Sequence, residues 1–138
     1  MKRILVDTGP LVAILSQGDE YHEVCLNTLR NMPSPLLSCW PVITEAAWLL
    51  RKSPRAVQQL LRSIDGAFLE LIPLTGAEGE AIAALMKRYE DIRPQLADAA
   101  LVYLADREKI ETIFTLDQRD FSIYRVGRKT FHIVPEMT

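Results

Sequence analysis

Apolar residues along this chain fall into two kinds of segment. Short, mainly apolar runs occupy Lys2 to Asp7 (as Ile4-Leu5-Val6), Leu36 to Cys39, Phe68 to Leu74, Thr112 to Leu116 and Phe131 to Val134. They are too short for helices and are bounded by polar or turn-forming residues, so they predict strands, the first of them buried. Between them lie longer stretches marked by helix start and stop signals. Gly9-Pro10 opens a helix to about Ser16; Gly18 breaks it, and Asp19 is placed to cap a second helix that ends near Met32, ahead of Pro33 and Pro35. Pro41 stands at the start of a helix over Val42 to Lys52, and Ser53-Pro54 repeats the signal for one through Ile64. Thr75-x-x-Glu78 has the form of a capping box opening a helix to about Asp91, and Pro94 opens the next, to about Glu108. Strands alternating with helices predict an α/β domain with a central, mainly parallel sheet flanked by helices. No internal repeat, linker or low-complexity tract interrupts residues 1–138, which fit one domain.

Four acidic residues break this pattern. Asp7 ends Ile4-Leu5-Val6, and Asp117 ends Thr112-Ile113-Phe114-Thr115-Leu116. Glu45 is the only charge between Trp40 and Leu50, and Asp98 the only charge between Pro94 and Ala105. On a helix the neighbours of Glu45 three and four positions away are Pro41, Val42, Trp48 and Leu49; those of Asp98 are Pro94, Gln95, Leu101 and Val102. Neither acid is on an ordinary solvated face. Buried carboxylates need a partner or a metal. Asp7 and Asp117 end strands, and in open parallel sheets ligands bind beyond the carboxyl ends of the strands. The four acids therefore predict one shared site, with Glu45 and Asp98 reaching it from helices.

Each acid also has a simpler reading. Asp7 would cap the following helix, Asp117 would be a turn residue, and Glu45 and Asp98 would each pair with a buried arginine. Four such coincidences would have to hold together. Two carboxylates about 5 Å apart repel by roughly 3 kcal/mol at an effective dielectric near 20, so a cluster calls for protons or a cation. Oxygen-only ligands favour Mg²⁺ or Mn²⁺ over Zn²⁺. Such a site suits metal-assisted hydrolysis of a phosphodiester.

Thr8 and Thr115 are placed to orient a carboxylate or a metal-bound water. Thr44 is expected to be solvated or bonded to its own helix. Asp120 is a fifth candidate acid, with an ion pair to Arg119 or Arg125 as its alternative. Arg51, Lys52, Arg93 and Arg119 are candidate phosphate contacts. Arg125, Arg128 and Lys129 form a basic cluster that is either a substrate arm or a polar loop. Trp48, inside an apolar helix, is expected in the core; Trp40 is open to a base-stacking role.

Composition narrows the class without naming a substrate. Hydrophobic content of 49% and charged content of 25% are ordinary for a soluble globular protein. The formal charge of −2 does not advertise nucleic-acid binding, but two divalent ions on the acids would bring it to +2. No apolar run approaches the roughly 18 residues of a membrane span, and Met1-Lys2-Arg3 leads into too short an apolar stretch for a signal peptide. A cytoplasmic protein is expected. Cys25 and Cys39 lack metal-ligand spacing and are expected to be buried, reduced thiols.

The segments Ile4-Leu5-Val6-Asp7-Thr8-Gly9-Pro10-Leu11, Val42-Ile43-Thr44-Glu45, Leu96-Ala97-Asp98-Ala99-Ala100 and Phe114-Thr115-Leu116-Asp117-Gln118-Arg119-Asp120-Phe121 resemble the PIN-domain family in order and spacing, in particular its small VapC-type toxin ribonucleases. The resemblance spans essentially the whole chain. It implies a Rossmann-like three-layer fold and Mg²⁺- or Mn²⁺-dependent endonucleolytic cleavage of RNA. Asp7, Glu45, Asp98 and Asp117 match the family's acidic positions, Thr115 its usual hydroxyl, Asp120 an acid of many members and Thr8 the small polar residue after the first acid. It further implies a homodimer and a cognate antitoxin of a type II toxin–antitoxin pair. The alternatives are a stand-alone RNA-processing nuclease and a metal-binding PIN-like interaction module that does not cleave. A phosphatase of the haloacid-dehalogenase type would need a second acid two residues after the first, where this chain has Gly9.

Overall fold

Ile4–Val6 forms β1, and all three of its side chains are buried, as a central parallel strand requires. The computed structural model describes residues 2–137. β1 pairs in parallel with β2 (Leu36–Ser38) on one side and β4 (Thr112–Phe114) on the other. β3 (Leu69–Leu71) extends the sheet beyond β2, and β7 (His132–Val134) beyond β4. The order is β3-β2-β1-β4-β7, with every pairing parallel. The ladder runs past the strand ends: Asp7 N–H donates to Phe114 O at 2.9 Å and Thr115 N–H to Val134 O at 3.0 Å.

The helices connect these strands and cover the sheet. They are α1 (Thr8–Leu15), α2 (His22–Arg30), α3 (Trp40–Leu49), α4 (Pro54–Arg62), α5 (Gly79–Arg88), α6 (Leu96–Glu108) and the one-turn α7 (Gln118–Phe121). Pro41 and Pro54 lie in the first turns of α3 and α4, and Ser53 caps α4 by accepting from Ala56 N–H at 3.2 Å. α6 is the central helix. Ala97, Ala99, Ala100, Leu101, Val102, Leu104 and Ala105 are all buried, and its small side chains permit close approach to its neighbours.

Asp19 does not cap α2: Tyr21 holds that position, and Asp19 Oδ1 accepts from Tyr21 N–H at 2.8 Å in the turn before it. Three further expectations need correction. The helix expected from Thr75 to Asp91 is three pieces: a 3₁₀ turn at Gly76–Glu78, α5, and a second 3₁₀ turn at Glu90–Ile92. The capping box is present, but Gly76 and Gly79 weaken the first turn, and Arg93 ends the second in the left-handed region (φ 51°) just before Pro94. Secondly, Arg125–Val126 (β5) and Lys129–Thr130 (β6) form an antiparallel hairpin where a polar cluster gave no strand pattern; Gly127, at φ 61°, makes its turn possible. Thirdly, Trp48 is 62% exposed rather than in the core. α3 buries Val42, Ile43 and Ala46 and turns Trp40 and Trp48 outward. Cys25 and Cys39 are buried and unpaired, and burial pushes both thiols up to about 11. No helix among the described residues is long and apolar enough to cross a membrane.

Candidate active site

The parallel order brings the carboxyl ends of β1 and β4 side by side, and Asp7 and Asp117 leave them on the same edge. α1, α6 and α7 begin close to these acids, so their partially positive amide ends offset some of the negative charge there. Asp7 stands at the capping position of α1, yet its side chain makes no capping bond. Instead Thr115 Oγ1 donates to Asp7 Oδ2 at 2.8 Å, and Asp7 Oδ1 is buried without a partner. Thr115 is fully buried and also accepts from Asp117 N–H at 3.0 Å. It thus braces both strand-end acids. Asp117 does double duty, since its Oδ1 accepts from Asp120 N–H at 3.2 Å and caps α7.

Glu45 from α3 and Asp98 from the first turn of α6 complete the group. Asp7, Glu45, Asp98, Asp117 and Asp120 all line one open cleft of about 460 Å³, with Thr8, Gly9, Gln95 and Leu116 among its other walls. The four acids singled out in sequence therefore share a site, and Asp120 joins them. No ion pair involves any of the five among the described residues. The buried-arginine reading of Glu45 and Asp98 and the ion-pair reading of Asp120 are thus not realised. Arg93 is the one cation lining the cleft among the described residues.

The remaining basic candidates are spread out. Arg119 is exposed and near enough for its charge to favour the ionised form of Asp117, but it does not line the cleft. Arg51 lies over the Trp48 ring, 3.9 Å from its centre, and donates to Trp48 O at 2.9 Å. Lys52 lines a neighbouring depression with Leu15 and Ser53. Arg125 folds back onto the carbonyl oxygens of Ser122, Ile123 and Tyr124. Arg128 and Lys129 border a depression with Lys109 and Glu111, which precede β4 and so lie at the opposite end of the sheet. Thr44 donates to Trp40 O at 2.9 Å, as expected of a hydroxyl spent on its own helix. Gln95 and Leu116 carried no signal in the sequence, because a capping-position glutamine and an apolar residue at a strand end are common everywhere.

Burial sets the electrostatics. Asp7 is 5% exposed, and burial raises its carboxyl from 3.8 to about 6. The Thr8 amide and Thr115 hydroxyl oppose that rise, while the charges of Asp117 and Glu45 add to it. Burial, then the charge of Asp7, raises Asp98 to about 7. Burial also raises Asp117. A nearby cation would oppose each of these rises.

The donor set suits a hard divalent ion. All donors are oxygen, and two of them, Asp7 Oδ1 and Thr8 Oγ1, are buried with no protein partner. Among the described residues no three His, Cys, Asp or Glu side chains are grouped so as to hold a metal ion by themselves. Mg²⁺ needs none, because it is commonly held by one or two carboxylates and completes its shell with water and substrate phosphate.

A family model for the PIN domain matches residues 4–129. The Ribonuclease VapC26 of Mycobacterium tuberculosis (strain ATCC 25618 / H37Rv) is 33% identical over 135 residues, which is 96% of this chain and 100% of the relative. Among solved structures, the crystal structure of Mycobacterium tuberculosis VapC20, a sarcin-ricin loop cleaving toxin, matches with a TM-score of 0.73. It covers 84% of this chain and 91% of that one at 19% identity, a likeness of fold.

Proposed function

The chain belongs to the PIN-domain family, and on that premise we propose that it is a divalent-metal-dependent endoribonuclease and the toxin of a type II toxin–antitoxin pair. The observation that carries the reading is the cleft: five carboxylates with no ion-pair partner, one of them buried, braced by Thr115 and left with a free oxygen. Full-length similarity to a ribonuclease makes RNA the substrate that this chemistry serves.

We assign Asp7, Asp98 and Asp117, with Glu45 and Asp120, to holding Mg²⁺ or Mn²⁺. When bound, the ion supplies a Lewis acid for the phosphoryl oxygen, for the attacking water and for the leaving oxygen. The chain's own residues do the rest. Thr115 fixes the Asp7 carboxylate by donating to Oδ2, which leaves Oδ1 without a protein partner and available to an ion. Thr8 Oγ1 offers a further oxygen beside it. Arg93, exposed at the rim, is suited to contact the phosphate next to the scissile bond. A cleft carboxylate not engaged with the ion accepts the proton of the attacking water.

The partners in this reading are RNA, a cognate antitoxin and a second copy of the chain, acting in the cytoplasm. Trp40, Trp48 and Leu96 are exposed around one depression on α3 and α6, an apolar face that a homodimer would cover. Sedimentation of the isolated protein tests the pairing. The nuclease is tested by incubating structured and single-stranded RNAs with Mn²⁺, Mg²⁺ or EDTA, using wild type and Asp98→Asn. Metal-dependent cutting lost in Asp98→Asn is the expected result. Cutting that survives both EDTA and the substitution would remove the site from the reaction. Metal binding without cutting of any RNA would favour the non-cleaving interaction module.

A further inference from the structure

Three buried side-chain polar atoms among the described residues have no hydrogen-bond partner: Asp7 Oδ1, Thr8 Oγ1 and the phenol oxygen of Tyr124. The first two belong to the acid cleft. The third has no role in the site described so far, and its isolation is costly. A buried hydroxyl left unsatisfied destabilises a fold by about 1–3 kcal/mol.

Packing does not account for the hydroxyl. Tyr124 is fully buried, with its ring edge-on to Tyr89 at 4.9 Å and to Phe121 at 5.1 Å between centres. A phenylalanine ring would make both contacts. What distinguishes the position is its neighbourhood. Tyr124 N–H donates to Asp120 O at 3.1 Å, which places it one turn beyond a cleft acid. The next residue begins β5, which packs on α6, the helix that carries Asp98. Burial raises the phenol's proton affinity, and the charge of Asp98 adds more than that of Asp120, Asp117 or Asp7. By geometry the hydroxyl is a buried donor without an acceptor, on a residue bonded to the backbone of the cleft acid Asp120 and leading into a strand packed on the Asp98 helix.

We propose that Tyr124 is a positioning residue of the cleft, whose phenol hydroxyl donates to the Asp98 carboxylate and holds it in place when that carboxylate carries a cation. The inference rests on the metal-site reading above. It gives the unpartnered oxygen a purpose that neither the core nor the sheet supplies, and it makes the metal-free fold bear a cost that ligand binding relieves.

The test is Tyr124→Phe in the full chain, with three readouts. Melting of the metal-free protein should be unchanged or higher, since the substitution removes an unsatisfied hydroxyl. Calorimetric affinity for Mn²⁺ should fall roughly tenfold, the scale of losing a support to a metal ligand. On an RNA that the wild type cuts, kcat should fall while KM is unchanged. Lower metal-free stability with unaltered Mn²⁺ affinity would make the hydroxyl a structural group and overturn the inference alone. A wild type that binds no Mn²⁺ would overturn the metal-site reading, and this inference with it.

Discussion

Asp7 and Glu78 are both carboxylates at the start of a helical segment, and the protein treats them in opposite ways. Glu78 is satisfied on every side. It accepts from Thr75 N–H at 2.8 Å and from Tyr103 OH at 2.8 Å, and it pairs with the Arg107 guanidinium. Arg107 also donates to Pro73 O at 3.0 Å and pairs with Glu108. The cluster ties the segment after β3 to α6. The Thr75 amide and the Tyr103 hydroxyl, with Arg107, hold the Glu78 carboxyl down to about 2. Asp7 has one hydroxyl donor, no cation and a carboxyl raised to about 6. Glu78, which ties the fold together, is given its partners by the fold; Asp7, assigned above to a ligand, is denied them. The contrast separates site from scaffold more clearly than burial or sequence position alone.

The largest expected effect tests the unsatisfied side of this comparison. Asp7→Asn or Asp98→Asn should lower RNA cleavage by about a thousandfold, on the scale of removing a pre-organised electrostatic group, with circular dichroism unchanged. Glu78→Gln should leave cleavage at the wild-type rate, so an equal loss in that variant would dissolve the distinction. Next comes Thr115→Val, which removes the brace on Asp7. Mn²⁺ affinity measured by calorimetry should fall between roughly 10- and 100-fold.

The two carboxylates should also respond to pH with opposite sign. The folded midpoint of Asp7 lies above its unfolded 3.8. Its contribution is therefore complete below about pH 4 and is lost as pH rises through about 6, an effect of order 3 kcal/mol. Asp98, raised to about 7, acts in the same direction. Glu78 lies below its ordinary 4.5, so its contribution is present above that value and lost as pH falls toward 2. Metal-free protein should consequently melt at a higher temperature near pH 5 than at pH 8, and Asp7→Asn should flatten the difference. Melting that rises steadily from pH 5 to pH 8 would contradict the protonated cleft. The smallest effect belongs to Arg93→Ala. KM for RNA should rise a few-fold, and the slope of log binding against log salt should shallow by about 0.7, one single-strand phosphate contact. An unchanged slope would place Arg93 off the RNA path.

Much of the site was legible because an acid inside an apolar run has few innocent explanations. Asp7, Glu45, Asp98 and Asp117 could be marked from their immediate neighbours, and two strand-end acids in an α/β order imply one sheet edge. The hydroxyl of Thr115 could be suspected from its place two residues before Asp117, but not its bond to Asp7, 108 positions away. Trp48 shows the limit of the same reasoning. α3 is apolar almost all round, so its sequence contains no polar face to say which side turns inward. The basic residues were legible as charges and not as contacts. Arg51, Arg93 and Arg125 are equally polar on paper, and the fold lays one on a tryptophan, one at the cleft and one on its own backbone.

The sequence by itself determined the order of the five main-sheet strands and of the longer helices between them, the parallel sheet and the identity of the converging acids, because buried apolar runs, prolines, caps and isolated charges act through neighbours a few residues away. Only the tertiary structure decided which oxygens remain unpaired. Whether Asp7 caps its helix or leaves Oδ1 free, and whether the Tyr124 hydroxyl is buried without a partner, depends on side chains as distant in the chain as Asp7 and Thr115, 108 positions apart, meeting in the interior. Hydrogen-bond satisfaction is a property of that enclosed volume, and no local pattern along the chain encodes it.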